Sequence, residues 1–349
     1  MSKSEQMTPR ERVMEAISHR EPDRVPIVLL SREVAIRYSG LKYADVWADG
    51  NKYVQAQDKL IRDFGFDAAL DIWCTPVVDE AMGAHVELPE DDAPWVPRPF
   101  IKDKSDIKKL KTSIDPQKDG RMPFMLNVVR GLREKLGKDI PISSWISAPF
   151  RTACMLRGST NLYVDILRDP GFVKELLETV MEPLTAYGKA LVDAGADIIC
   201  TSNPVANNDC IRYAHYKEFS HPYTKRLFGD LKAHGDVKIM FHTCGNWDGR
   251  YDLVTEENTD ILHVDKVDLE QFKKDWGSKI TIMGNVRSVD TMLQGTPETV
   301  AGEAESCIAK AAKGGGYFLS ADCTVPLGTP VENLRSFVNV GLTKGIYSH

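Results

Sequence analysis

Val25-Pro26-Ile27-Val28-Leu29-Leu30 runs directly into Ser31-Arg32-Glu33-Val34, and no glycine follows until Gly40. The apolar run reads as a buried strand and the stretch after it as the start of a helix. An open, doubly wound sheet would ordinarily carry a glycine-rich phosphate turn at this point. Its absence favours the other common way of assembling parallel strands, a closed barrel. Seven more short apolar runs follow, at 67–73, 140–145, 197–201, 237–242, 261–264, 280–283 and 317–320. Most are succeeded by a helical pattern, clearest at 170–193 and 297–313, as expected of strands buried on both faces. Eight such units is the number that closes a (β/α)8 TIM barrel.

Outside the repeating units lie two elaborations. Thr8 as N-cap, Pro9 in the first turn and Glu11 three residues on form a capping box for a first helix. Val13, Met14 and Ile17 make its apolar face, and Glu21-Pro22-Asp23 ends it. Residues 1–23 are therefore expected to be an N-terminal helical extension. The connection 74–139, with Pro89, Pro94, Pro97 and Pro99, is long enough to hold two helical stretches of its own. The whole chain, 1–349, is expected to be one α/β barrel domain.

Bulk properties narrow the class of function. A formal charge of −6, with Lys and Arg interleaved with Asp and Glu, argues against nucleic-acid binding. No apolar run approaches the roughly 20 residues of a membrane span, and MSKSEQMTPRERV lacks the apolar core of a signal peptide. Seven scattered cysteines suit a reduced, cytoplasmic setting better than a disulfide framework. An enzyme is expected, with homo-oligomerisation left open.

Barrel chemistry sits where strands run out into βα loops. The fifth candidate strand ends Met240-Phe241-His242-Thr243-Cys244-Gly245-Asn246, and the eighth ends Leu319-Ser320-Ala321-Asp322-Cys323. Residues two apart in an extended segment face the same way, so His242 and Cys244 can serve one ion, with Cys323 as a third ligand. One imidazole and two thiolates make a good zinc set with the fourth position open. Alone, such a pair reads equally as a histidine beside a small buried hydrophobe. Cys74, Cys154, Cys200, Cys210 and Cys307 read simply as such hydrophobes. Other polar or aromatic groups at strand ends are Arg32, Asp71, Trp73, Trp145 and Asn203, candidates for substrate binding. Asp265 and Asn285, which follow the sixth and seventh candidate strands, are candidate catalytic groups. Each has a plain alternative: Asp265 as a helix cap, Asn285 as turn chemistry, the tryptophans as barrel plugs.

The chain resembles the uroporphyrinogen decarboxylase superfamily along its length. The resemblance is carried by Thr8-Pro9-Arg10-Glu11-Arg12-Val13 through Glu21-Pro22-Asp23-Arg24-Val25-Pro26, by Ser147-Ala148-Pro149-Phe150, Ala194-Gly195-Ala196-Asp197, Cys244-Gly245-Asn246 and Gly284-Asn285, and by Pro326 through Thr329-Pro330-Val331-Glu332-Asn333. It implies a (β/α)8 barrel with an N-terminal extension. True decarboxylases have Arg-Gln-Ala-Gly-Arg after the first strand, where this chain has Ser31-Arg32-Glu33-Val34-Ala35-Ile36-Arg37. They have Gly-His-Gly after the last strand, where this chain has Ala321-Asp322-Cys323. Asp71 matches their acidic residue.

His242, Cys244 and Cys323 stand where the superfamily's zinc-dependent, corrinoid-linked methyltransferases hold their metal. That branch implies zinc, a separate corrinoid-binding partner protein, and methyl transfer between its cobalt and a small molecule. Trp73 and Trp145 as a stacking wall favour an aryl methyl ether, an O-demethylase type of reaction, with methylamines and thiols also open. Two other readings stand beside this one: a metal-independent decarboxylase of a uroporphyrinogen-like polycarboxylate, and a non-catalytic barrel that binds a tetrapyrrole or corrinoid.

Overall fold

The computed structural model describes residues 7–72 and 75–347. Trp73 and Cys74 fall outside the described residues. The capping box forms as the sequence indicates: the Glu11 backbone N–H donates to the Thr8 hydroxyl at 3.2 Å, and the Thr8 N–H donates to the Glu11 carboxylate at 2.8 Å. The helix that follows is Pro9–Ile17.

Among the described residues seven strands form: β1 (Ala69–Leu70), β2 (Ile142–Trp145), β3 (Ile198–Ser202), β4 (Lys238–Thr243), β5 (Ile261–Val264), β6 (Thr281–Val286) and β7 (Tyr317–Ala321). They follow one another in sheet order. The pairings β1–β2, β3–β4, β5–β6 and β6–β7 are parallel, with Ser202 opposite His242 and Asn285 opposite Ser320. Long helices occupy most intervals, among them Pro170–Ala194 and Pro297–Ala311. Seven of the eight expected strands are thus present.

The eighth expectation needs correcting. Residues 25–30 make a single isolated bridge, Ile27 pairing in parallel with Leu319. Leu319 still donates to the Pro26 carbonyl (2.9 Å), Val28 donates to Leu319 (3.1 Å), and Asp67 donates to Ile27 (2.9 Å). The segment therefore bonds to β7 on one side and to the residues leading into β1 on the other. Pro26 has no N–H to give a ladder, so the pairing with β7 cannot continue through the Pro26 nitrogen.

The chain divides into two compact units. One comprises residues up to Asp71, 131–143 and everything from Asp260 on. Its helices Pro297–Ala311 and Val331–Lys344 pack on each other, the first also against β6 and β7. Its polar anchor is Asp67, fully buried: Arg12 reaches it at 2.7 Å, Arg24 at 2.7 Å, and the Ile27 N–H at 2.6 Å. Arg12 also grips Asp23 through two nitrogens, at 2.7 and 2.8 Å. The N-terminal helix and the 25–30 segment are fixed to the start of β1 by this one buried carboxylate.

The second unit comprises 72–130 and 144–259. Here β3 and β4 carry helices Pro149–Arg157, Pro170–Ala194 and His221–His234, packed on one another. The 74–139 connection holds helices Val77–Ala81 and Met122–Leu136 and a 3-10 turn, Lys104–Lys109. Among the described residues no helix is long and apolar enough to cross a membrane.

Candidate metal centre

β4 is buried along almost its whole length, because its Ile239, Met240 and Phe241 side chains fill the interior. The strand delivers His242, 4 % exposed, at its C-terminal end. Cys244 follows immediately, half-buried, and the chain turns away at Gly245, whose φ of 89° lies in the left-handed region that favours glycine. Cys323, also half-buried, comes two residues after the end of β7. Among the described residues, these three are the group with the chemistry to hold a metal: their ligand atoms lie within 4.8 Å of one another. One imidazole nitrogen and two thiol sulfurs fit zinc in a three-ligand site. The described cysteines are all thiols.

The remaining candidates separate into groups. Arg32 and Asp71 come together, the guanidinium Nε at 3.8 Å from the carboxylate, both side chains fully buried. Tyr53 braces that corner by donating to the Leu70 and Asp71 carbonyls. Arg37, by contrast, is exposed. Asn203 is fully buried, and its amide donates to Ser220 at 2.9 Å. Trp145 is 2 % exposed, a packed side chain rather than an open stacking face. Trp73, the other half of the stacking wall expected from the sequence, lies outside the described residues.

Asp265 and Asn285 line one cleft of about 400 Å³, with Arg287, Glu303, Cys307 and Asp322. The Asn285 amide is committed to the loop after β5, donating to the carbonyls of Asp265 and Val267 at 3.0 Å each. That is a loop-holding geometry. Asp322, nearly buried, accepts from the Ser288 backbone N–H at 2.9 Å. Burial raises its pKa, against the lowering effect of the Ser288 hydrogen bonds. Cys307 packs beside Asn285, and burial pushes its thiol up to about 11, as suits a core cysteine.

Asp79, on the short helix Val77–Ala81, escaped the sequence reading. Its carboxylate is fully buried and accepts no hydrogen bond from another described residue. Nearby Arg151 spends its donors on Ser147 and Thr75. Burial raises the Asp79 pKa to about 7, with Arg151 opposing. The folded pKa thus lies above the ordinary 3.8, so the folded state holds this proton more tightly than the unfolded one. Stability should be highest below about pH 4 and decline as pH rises toward 7, as far as this group is concerned. Asp79→Asn should remove that decline and stabilise the protein at pH 8 by about 1–3 kcal/mol, measured by urea unfolding at pH 5 and pH 8. Destabilisation by Asp79→Asn at pH 8 would show that the carboxylate has a partner.

Parallel strands alternating with helices define an α/β protein, and thiol and imidazole donors at strand ends mark it as a candidate metalloenzyme. The chain belongs to the uroporphyrinogen decarboxylase (URO-D) family, whose profile matches residues 8–341. It is 28 % identical over 337 residues to the methylcobamide:CoM methyltransferase MtbA of Methanosarcina acetivorans, covering 95 % of this chain and 96 % of that protein. It is 26 % identical to a methylated-thiol–coenzyme M methyltransferase of Methanosarcina mazei, over 78 % of this chain and 72 % of the other. Among solved structures, a methyltransferase from Methanosarcina mazei superposes with a TM-score of 0.86 at 22 % identity, covering 96 % of this chain and 98 % of that one.

Proposed function

We propose that this chain is a zinc-dependent methyltransferase that moves a methyl group between the cobalt of a separate corrinoid protein and the sulfur of a small thiol. The observation that carries it is the ligand group His242, Cys244 and Cys323 in a chain whose relatives include methylcobamide:CoM methyltransferases. A further relative is named for a methylated thiol. An aryl methyl ether rested on Trp73 and Trp145, of which the second is buried, so the thiol is preferred. We also read the 25–30 segment as the eighth member of a (β/α)8 barrel, since it bonds both to β7 and to the residues before β1.

Bound zinc would supply Lewis acidity, lowering the pKa of a coordinated thiol so that it reacts as a thiolate. The protein's part is to hold that position. His242 is oriented by a buried strand, and Cys244 by the turn that follows it. In the forward reaction a carbon–sulfur bond forms as the cobalt–carbon bond breaks, and the electron pair of the latter stays on cobalt. An in-line displacement of this kind tolerates little misplacement. Asp265 and Asn285 are assigned to shaping the loop after β5, and Arg32 with Asp71 to the substrate side.

Zinc content and cobalt spectroscopy test the proposal together. Purified protein should carry about one zinc per chain. With a methylated corrinoid protein, a panel of thiols should convert the methyl–Co(III) spectrum to that of Co(I), with His242→Ala abolishing the change. A response to methyl ethers or methylamines alone, read as methylation of Co(I), would overturn the thiol but keep the class. No response with a competent partner would end the methyltransferase reading. Formation of coproporphyrinogen from uroporphyrinogen would favour the decarboxylase instead.

A further inference from the structure

The turn after β4 is held by two side chains that converge on one atom. The backbone carbonyl of Cys244 accepts the Trp247 indole N–H at 3.0 Å and the Asn207 side-chain amide at 3.2 Å. A carbonyl oxygen has two lone pairs, and these two donors occupy both. Trp247 lies three residues ahead, whereas Asn207 arrives from the loop after β3, 37 residues earlier in the chain. Gly245 makes the second contact feasible: a Cβ there would fall on the Asn207 amide nitrogen.

Neither donor is loose. Trp247 is 1 % exposed, set edge-on against Tyr216 and Phe241 with ring centroids 5.4 Å away in each case. Beside Asn207, Asn208 ties the two loops together, its N–H donating to the Asn246 carbonyl at 2.9 Å and its amide to the Asp248 carbonyl at 2.9 Å. Arg250 in turn donates to the Asn208 side chain at 2.7 Å.

A thiol next to a glycine turn would otherwise have wide freedom, while a metal site needs its ligands placed to within about 0.2 Å. We propose that Asn207 and Trp247 are positioning residues for the metal: pinning the Cys244 carbonyl fixes the direction in which Cys244 presents its sulfur. This rests on the zinc reading. The rival view is that these bonds only stitch one loop to another, and it predicts a loss of folding stability without a change at the metal.

The experiment uses the full chain with Asn207→Ala, Trp247→Phe and both together; Trp247→Phe keeps an aromatic ring and removes only the donor and part of the packing. Tyr213→Phe, which removes an exposed hydroxyl bonded to Asp252, is the control. Zinc affinity is measured by competition with a chromophoric chelator, and ligand geometry by the visible bands of the Co(II)-substituted protein. Each single change should weaken zinc binding about 10–100-fold and alter the Co(II) bands, while Tyr213→Phe leaves both unchanged. Wild-type affinity and an unchanged Co(II) spectrum in the double variant would overturn the proposal, as would a lowered melting temperature of the metal-free protein with the Co(II) bands intact. If the wild type takes up no zinc, the zinc reading itself fails and this one with it. Stoichiometric zinc in the wild type with unaltered variants would sink this inference alone.

Discussion

Cys244→Ala and Cys323→Ala proteins should each fold and each fail to retain zinc through purification. Four-ligand structural sites bind zinc with an apparent 10–16 kcal/mol, about 3 kcal/mol per ligand, so losing one of three protein ligands should cost on the order of a hundredfold in affinity or more. The fold should survive because neither thiol carries the core: each is half-buried and lies in a loop beyond the end of its strand. Metal analysis after dialysis against a weak chelator, with circular dichroism for the fold, reads both halves of this expectation. Methyl transfer should fall with the metal and not return when zinc is added at the concentration that saturates the wild type. Full zinc retention in the double variant would remove these residues from the metal, and unfolding of either single variant would show that they hold the core instead. Cys154→Ala serves as the contrast. That thiol is fully buried, and burial raises its pKa far above the ordinary range, so its loss should affect stability and leave the zinc in place.

How much of this was legible depended on whether the signal was local. Seven strands could be read because each is a short apolar run with its own turn or helix signals; 261–264 matches the observed β5 at both ends. Residues 25–30 are equally apolar, yet Pro26 has no N–H for a ladder, and a single bridge forms at Ile27. The spacing of His242 and Cys244 was visible because strand geometry sets it, and Cys323 became a partner by its place at the end of another strand. Asn285 stands at a strand end, where catalytic groups are expected, and its amide donates to two loop carbonyls, a choice of partner that strand-end position does not reveal. Asn207 and Trp247 could not be found from sequence at all. Their relevance lies in a contact with Cys244 that spans 37 residues in one case and depends on a neighbouring glycine. Asp79 was hidden for a related reason, since nothing in Val77-Val78-Asp79-Glu80 says which of two adjacent carboxylates is buried.

The same logic makes Asp67 a residue whose loss should cost the fold heavily. It has no exposure, and it meets Arg12, itself fully buried, and Arg24, 4 % exposed, each at 2.7 Å. It also takes the Ile27 N–H at 2.6 Å. Replacing such a cluster with apolar groups can be neutral, but removing one member leaves uncompensated buried charge and costs about 3–5 kcal/mol. Asp67→Ala leaves two guanidinium groups without their shared carboxylate, so its cost should reach the upper part of that range. Native domains are stable by only about 5–15 kcal/mol, so this variant should lose most of its cooperative unfolding transition or accumulate as insoluble protein. Asp67→Asn keeps the shape but offers one acceptor oxygen in place of two charged ones, and should fall between. Arg12→Met should be milder than Asp67→Ala: Asp23 loses its guanidinium partner, but it is only half-buried and keeps the Met7 and Arg24 N–H donors, the Arg24–Asp67 pair remains, and the apolar stem of Arg12 is replaced in kind. Urea unfolding of the wild type and these three variants ranks them directly. A loss of under about 1 kcal/mol for Asp67→Ala would place it with ordinary surface substitutions, and the role assigned to this carboxylate, fixing the N-terminal helix and residues 25–30 to the start of β1, would have to be given to packing alone.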